Sequence, residues 1–361
     1  MNRVMLKIKR HGRLNSQRTI RNSPVLSPQT KKRQLEISTP FILSLAFATA
    51  LSLIPWPSIF NEVRGHPYVD RQAYIAQIEG QYLRFDYAEY SNIIDYITDE
   101  FAWGAILNFL VRDLNLGIQV TFSILSFFIC FSFIFFITHT SSFKYTLLLV
   151  NPLFVDLAVS QMRSGLAISF LLWAYVLGTK KSKLKLLQGI LVLLGCTTHT
   201  VGAFFLVVFA CGILIARQAQ KWTSVSSYTI SAFIGIAFGL IMGPLRGPIL
   251  ALLGDRRYSV DYGSASFLFL SLWMILLILL TMDWRGRDVN PLRVLALIFL
   301  IQIILGAFFG NYTTRFLALA LPILLSTFST LRSDLRMIAV LAYLGYLTIQ
   351  WSIWFGAFAY V

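Results

Sequence analysis

Asp70, Arg163, His199 and Arg315 are the side chains in this sequence best placed to do chemistry. Arg163 opens one apolar run in QMRSGLA, and His199 closes another in CTTHT. A basic turn, Lys180, Lys181, Lys183 and Lys185, separates the two runs, so both residues lie about one helix length from the same lysines. With those lysines on the cytoplasmic side, the arginine and the histidine meet at the opposite membrane face. Arg315 precedes a later apolar run in NYTTRFLALALP, and Arg256 and Arg257 stand in a loop assigned to the same face. Cations gathered at bilayer depth ask for an anionic ligand at that depth, and guanidinium grips phosphate or pyrophosphate in a bidentate manner. A neutral imidazole is suited to taking a proton near pH 7, which makes His199 the candidate base and Asp70 its rival. Each residue also has a structural reading. Arg163 and Arg315 would snorkel to headgroups, His199 would cap a helix break, Asp70 would be one more acid on a wet face, and Asp156 would pair with an arginine.

The elements that hold these residues are membrane helices. The 361-residue chain is 57% hydrophobic and only 13% charged, with a mean hydropathy of +0.68. Uncharged runs recur from Pro40 to Val361, which defines an all-α, polytopic integral membrane bundle. The net charge of +15 is not a nucleic-acid signal, because its densest part abuts the first span. Residues 1–38 carry ten Lys and Arg against Glu36 alone and lack interleaved aromatics, so they read as a basic cytoplasmic tail. Cys130, Cys196 and Cys211 lie in apolar runs with neither metal nor pairing spacing.

Residues 39–361 form the membrane domain. Its first span, about Phe41–Ile59, ends on Pro55-Trp56-Pro57, and residues 61–100 then hold eight acids against three basic residues. A basic tail before the span and an acidic segment after it put the amino terminus inside and the 61–113 loop outside. Within that loop, Ile75, Ile78 and Tyr82, then Tyr90, Ile93, Ile94 and Ile97, recur at helical spacing and predict amphipathic surface helices, followed by an interfacial or re-entrant stretch at 101–111. Further spans are expected at Leu116–Ile137, Tyr145–Ser160 and Gly165–Gly178. A short hairpin with His199 at its outer bend should follow, then five more crossings from Tyr228 to Phe358. The total is about eleven, with the carboxyl terminus outside.

No GxxxxGK[ST], HExxH, CxxC or EF-hand pattern appears, which argues against an ATP-driven pump and against a metal site. The order of features resembles the EpsG/Wzy type of bacterial polysaccharide polymerase. The resemblance rests on Asp70 to Tyr74 after the first span, Glu100 in DEFAWGAILNFL, Arg163 in QMRSGLA, His199 in THTVGA and Arg315 in NYTTRFLALALP. It covers roughly residues 66–330, and it departs at Ser164, where the family usually shows glutamine. The resemblance implies a GT-C-like, metal- and cofactor-independent glycosyltransferase of the bacterial inner membrane. Its substrate would be an undecaprenyl-pyrophosphate-linked oligosaccharide, polymerised at the periplasmic face with a chain-length regulator as a partner protein. Arg163, Arg315, Arg256 and Arg257 would bind pyrophosphate, and His199 or Asp70 would activate the acceptor. A single-sugar transferase or ligase, and a flippase or exporter for the same lipid-linked oligosaccharide, are the alternatives. Ionisable residues gathered at span ends, with Asp156 the nearest exception, favour an enzyme acting at one face.

Overall fold

The computed structural model of the chain describes residues 28–80, 93–179, 184–219, 224–252, 267–283, 289–309 and 313–356. The chain divides into two units, Met1–Thr39 and Pro40–Val361; apart from the first residues of α1, everything described below lies in the second. The described residues are all-helical. In chain order the α-helices are α1 Pro28–Leu53, α2 Trp56–Arg64, α3 Val69–Glu79, α4 Ile93–Thr98, α5 Phe101–Asn108, α6 Ile118–Thr140, α7 Pro152–Val159 and α8 Met162–Thr179. They continue as α9 Lys185–Thr198, α10 Thr200–Gln218, α11 Ser224–Met242, α12 Arg246–Leu252, α13 Phe267–Met282, α14 Pro291–Phe308, α15 Thr313–Phe328 and α16 Ser333–Trp354.

By length and composition, α6, α10, α14 and α16 suffice to cross a membrane, and the bent pairs α1/α2 and α7/α8 raise the number to six. Helices α9, α13 and α15 are apolar but shorter, as is the apolar part of α11, Ser226–Met242. This is a helical membrane protein, as its composition requires. Helices α14 and α15 are buried nearly all round and form the centre of the bundle, with Phe299, Leu317 and Leu321 fully enclosed. Helix α11 reaches α14 through a small-residue stripe. A Cβ on Gly235 would stand 3.0 Å from the Ile298 carbonyl, and one on Gly239 would stand 2.8 Å from Leu305 Cβ.

The stretch expected as a single span over Tyr145–Ser160 is broken. Phe143–Leu149 is a 3-10 segment, and α7 restarts at Pro152 with Asn151 as its cap, its side chain accepting from the Leu153 amide at 2.8 Å. Proline removes the donor a continuous helix would need, and the buried Asn151 amide reaches the Tyr343 hydroxyl at 3.0 Å. That hydroxyl donates in turn to the Leu148 carbonyl at 3.0 Å. After Val159 the chain bends by 99° into α8.

Polar side chains gather at the two ends of the bundle. At one end the buried Asp283 accepts from Arg293 Nη2 at 2.6 Å and from Arg332 Nε at 3.1 Å, while Arg293 also donates to Thr330. Thr140 and Ser326 meet at the same end, 2.8 Å apart. The opposite end holds Arg64, Asp70, Arg71, Glu100, Gln119, Arg163, His199 and Arg315. Arg293 and Arg332 thus lie one bundle length from Arg163 and Arg315.

Candidate functional site

The site is assembled around a carboxylate. Glu100 sits between α4 and α5 with φ 58° and ψ 46°, a left-handed conformation that L-residues with a side chain avoid. Holding it there costs about 1–3 kcal/mol, strain that persists only when surrounding contacts over-determine it. Those contacts are ionic. Oε2 accepts from Arg163 Nη1, and Oε1 lies 2.5 Å from His199 Nδ1. The Glu100 side chain is 7% exposed, so its charge is compensated by these partners rather than by water.

Arg163 lies in the first turn of α8, just past the 99° bend, and projects over the Tyr74 ring with Cζ 5.4 Å from the centroid. Tyr74 packs on Trp103 at 5.1 Å, which gives the guanidinium an aromatic wall. Burial pushes the Tyr74 phenol above its ordinary range, so the hydroxyl stays neutral and able to donate. Arg163 Nε is buried with no hydrogen-bond partner among the described residues, and so is Trp103 Nε1. A guanidinium with an unused buried donor is a group prepared for one more acceptor.

His199 occupies the one-residue break between α9 and α10 in an extended conformation, φ −160°. The break survives because two glycines cross at it. A Cβ on Gly202 would fall 2.0 Å from the Gly195 carbonyl oxygen, backbone that cannot step aside. Gly202→Ala is expected to splay the hairpin and cost about 1–3 kcal/mol. Thermal unfolding in lipid nanodiscs checks this, with Gly189→Ala, which meets nothing within 4 Å, as the neutral comparison.

Asp70 forms a second, wetter pair, with Arg315 Nη2 3.1 Å from its Oδ2 and side-chain exposures of 43% for the arginine and 32% for the acid. Asp70 and Tyr74 are one turn apart on α3, so the Asp70–Arg315 pair and the Glu100–Arg163–His199 cluster flank the same helix face. Asp156 lies within electrostatic reach of Asp70 and Arg315, but its carboxylate is held by Gln161 Nε2 at 2.7 Å. The expected pairing of Asp156 with an arginine is therefore replaced by a bond to a neutral amide.

The structure brings together Arg163 and His199, the two residues tied by the lysine turn, and places Asp70 and Arg315 at the same end. Arg256 and Arg257 lie outside the described residues. Two residues had no assigned role in the sequence. Glu100 entered the sequence reading as an acid opening an apolar stretch and as one of the residues that carry the resemblance; an acid at the edge of FAWGAILNFL calls for a cation at that depth, and this was the available signal. Arg71, one of the three basic residues in the acidic segment 61–100, is buried. Among the described residues no group of three or more His, Cys, Asp or Glu side chains is arranged to hold a metal ion.

These features define a polytopic helical membrane protein with a buried acid–histidine–arginine cluster at one end of its bundle. Comparison with protein-family models, curated proteins and solved structures finds no match.

Proposed function

We propose that this chain is a membrane glycosyltransferase that polymerises lipid-linked oligosaccharide repeat units. The observation that carries the reading is the Glu100-centred cluster, in which one carboxylate holds both an imidazole and a guanidinium whose Nε has no hydrogen-bond partner among the described residues. An ionised Glu100 accepting from Nδ1–H fixes the tautomer in which His199 Nε2 carries the lone pair. Nε2 then takes the proton of an acceptor sugar hydroxyl as its oxygen attacks the anomeric carbon of the donor chain. The bond from that carbon to the lipid pyrophosphate breaks with inversion, and the charge developing on the leaving pyrophosphate falls to Arg163 and Arg315. Asp70, tied to Arg315, then serves to position that cation, and His199 takes precedence over it as the base.

The reading carries finer expectations with it: about eleven crossings, a GT-C-like arrangement, a cytoplasmic amino terminus and a site on the periplasmic face of a bacterial inner membrane. The short helices α9, α13 and α15 would be accommodated by packing within protein or by local bilayer thinning. Ionic clusters at bundle ends suit an enzyme better than a transporter, which needs a polar path between them.

Binding tests the anion site directly. Purified protein in nanodiscs is titrated with undecaprenyl pyrophosphate. Arg163→Ala and Arg315→Ala are each expected to weaken binding by about 10-fold or more, as the loss of a charge-assisted hydrogen bond implies. Arg217→Ala, at the far end of α10, should leave it unchanged. Equal behaviour of all three variants would remove the proposed site.

A further inference from the structure

A second polar–apolar site lies beside the ionic cluster and takes no part in the proposed transfer. Leu51–Ser58, α6 and α7 enclose a cavity of about 350 Å³, within the range of ligand sites. Arg71 and Gln119 line it, as do Ser123, Ser126 and Cys130 along α6, and Phe154 and Val155 on α7. From Gln119 to Cys130 the α6 wall runs about 16 Å, half the thickness of a bilayer's hydrocarbon core. The cavity thus runs from the charge at the bundle end, past the Ser123 and Ser126 hydroxyls, to Leu51 and Cys130, about one leaflet deep.

Among the described residues the charge at its head faces no acid. Arg71 is buried, donating Nη1 to the Val159 carbonyl at 3.1 Å and Nη2 to Gln119 Oε1 at 2.7 Å, with its Cζ 4.7 Å from the Phe122 centroid. These two bonds use two of five N–H donors. Among the described residues no carboxylate pairs with it, since the neighbouring Asp70 is turned to Arg315. Burial disfavours the charged form and draws the Arg71 guanidinium below its ordinary range, yet an arginine stays protonated. A buried, hydrogen-bonded cation without a counter-ion is costly unless an anion arrives from outside the chain.

We propose that this cavity binds an anionic glycerophospholipid of the adjoining leaflet, its phosphate on Arg71 and one acyl chain along α6. An undecaprenyl chain is far longer than a shaft that ends at mid-bilayer, which favours the acyl lipid. Trp56 lines the cavity and reports occupancy. The protein is reconstituted with dibrominated phosphatidylglycerol or dibrominated phosphatidylcholine at equal mole fraction. Quenching of Trp56 is read as the difference between wild type and Trp56→Phe. An approximately fivefold preference for the anionic lipid is expected, the size of one guanidinium–lipid attraction. Arg71→Gln should abolish the preference while leaving quenching by phosphatidylcholine in place. Ser123→Leu, at an exposed position on the wall and therefore tolerated by the fold, should reduce quenching by the anionic lipid with Arg71 intact. Equal quenching by the two lipids, a preference that survives Arg71→Gln, or relief of quenching by trace undecaprenyl phosphate would each overturn the proposal. The readout is lipid occupancy, so it stands or falls apart from sugar transfer.

Discussion

Glu100→Gln is expected to lower sugar transfer by about 10²–10⁴-fold, the range over which a positioned proton acceptor acts, while the protein still inserts and folds. The amide keeps the volume of the carboxylate and can bond to one of its two partners. It cannot balance the imidazolium that forms when His199 takes a proton, and it does not select the Nδ1–H tautomer. The loss should appear in kcat with little change in KM, because Glu100 touches His199 and Arg163 rather than substrate. Glu100→Ala is a different experiment. It strands Arg163 in a largely enclosed site and is expected to cost about 3–5 kcal/mol of stability as well. Steady-state kinetics in nanodiscs, beside a thermal unfolding curve for each variant, separates the two effects. If Glu100→Gln turned over at the wild-type rate, His199 would not depend on its carboxylate and the proposed dyad would be wrong.

At the far end of the bundle, Asp283→Ala is expected to destabilise the protein by about 3–5 kcal/mol without touching the site. Asp283 is 5% exposed, and its carboxylate joins Arg293, 11% exposed, to Arg332, which opens α16. The Arg332 amide also donates to it at 3.3 Å, so one acid ties the starts of α14 and α16 together. Removing it leaves Arg293 charged and enclosed, with Thr330, the Asp283 backbone carbonyl and the Tyr228 hydroxyl as neutral partners that do not balance its charge. Arg332 is 56% exposed and also lies 3.7 Å from Asp334, so it can turn to water. The double variant Asp283→Leu with Arg293→Met should therefore recover most of the loss, since apolar side chains replace a buried pair at little cost. Unfolding temperatures of the single and double variants check this. A double variant no better than the single one would mean that the pair itself holds the helices.

The lysine turn explains why part of the site was readable in advance. Lys180 to Lys185 mark a membrane face, and counting one helix outward in both directions arrives at Arg163 and at His199. That reckoning needs only helix rise and charge placement. Glu100 escaped it because its partners lie 63 and 99 residues along the chain, and no local pattern announces a contact at such range. Its left-handed backbone, too, leaves no mark in the residue type, since glutamate is not a residue that favours that conformation. Arg71 was hidden by its neighbours: in an acidic loop an arginine looks solvated, and only the packing of α3 against α6 shows that it faces inward. Of the Arg293–Asp283–Arg332 group, the two arginines were visible as basic residues at span ends, but the acid that joins them was not. Among the spans, Asn151-Pro152 carried a cap signal inside an apolar run, and hydropathy alone masked the break.

The most direct measurement reconstitutes the purified protein in lipid with an undecaprenyl-pyrophosphate-linked repeat unit and separates the products by size. The account predicts a ladder of increasing length, lost in Glu100→Gln, His199→Ala and Arg163→Ala and kept in Arg217→Ala. A single added band would reduce the polymerase to a one-step transferase. No product, with labelled substrate appearing on the other leaflet, would contradict the account and make the chain a transporter.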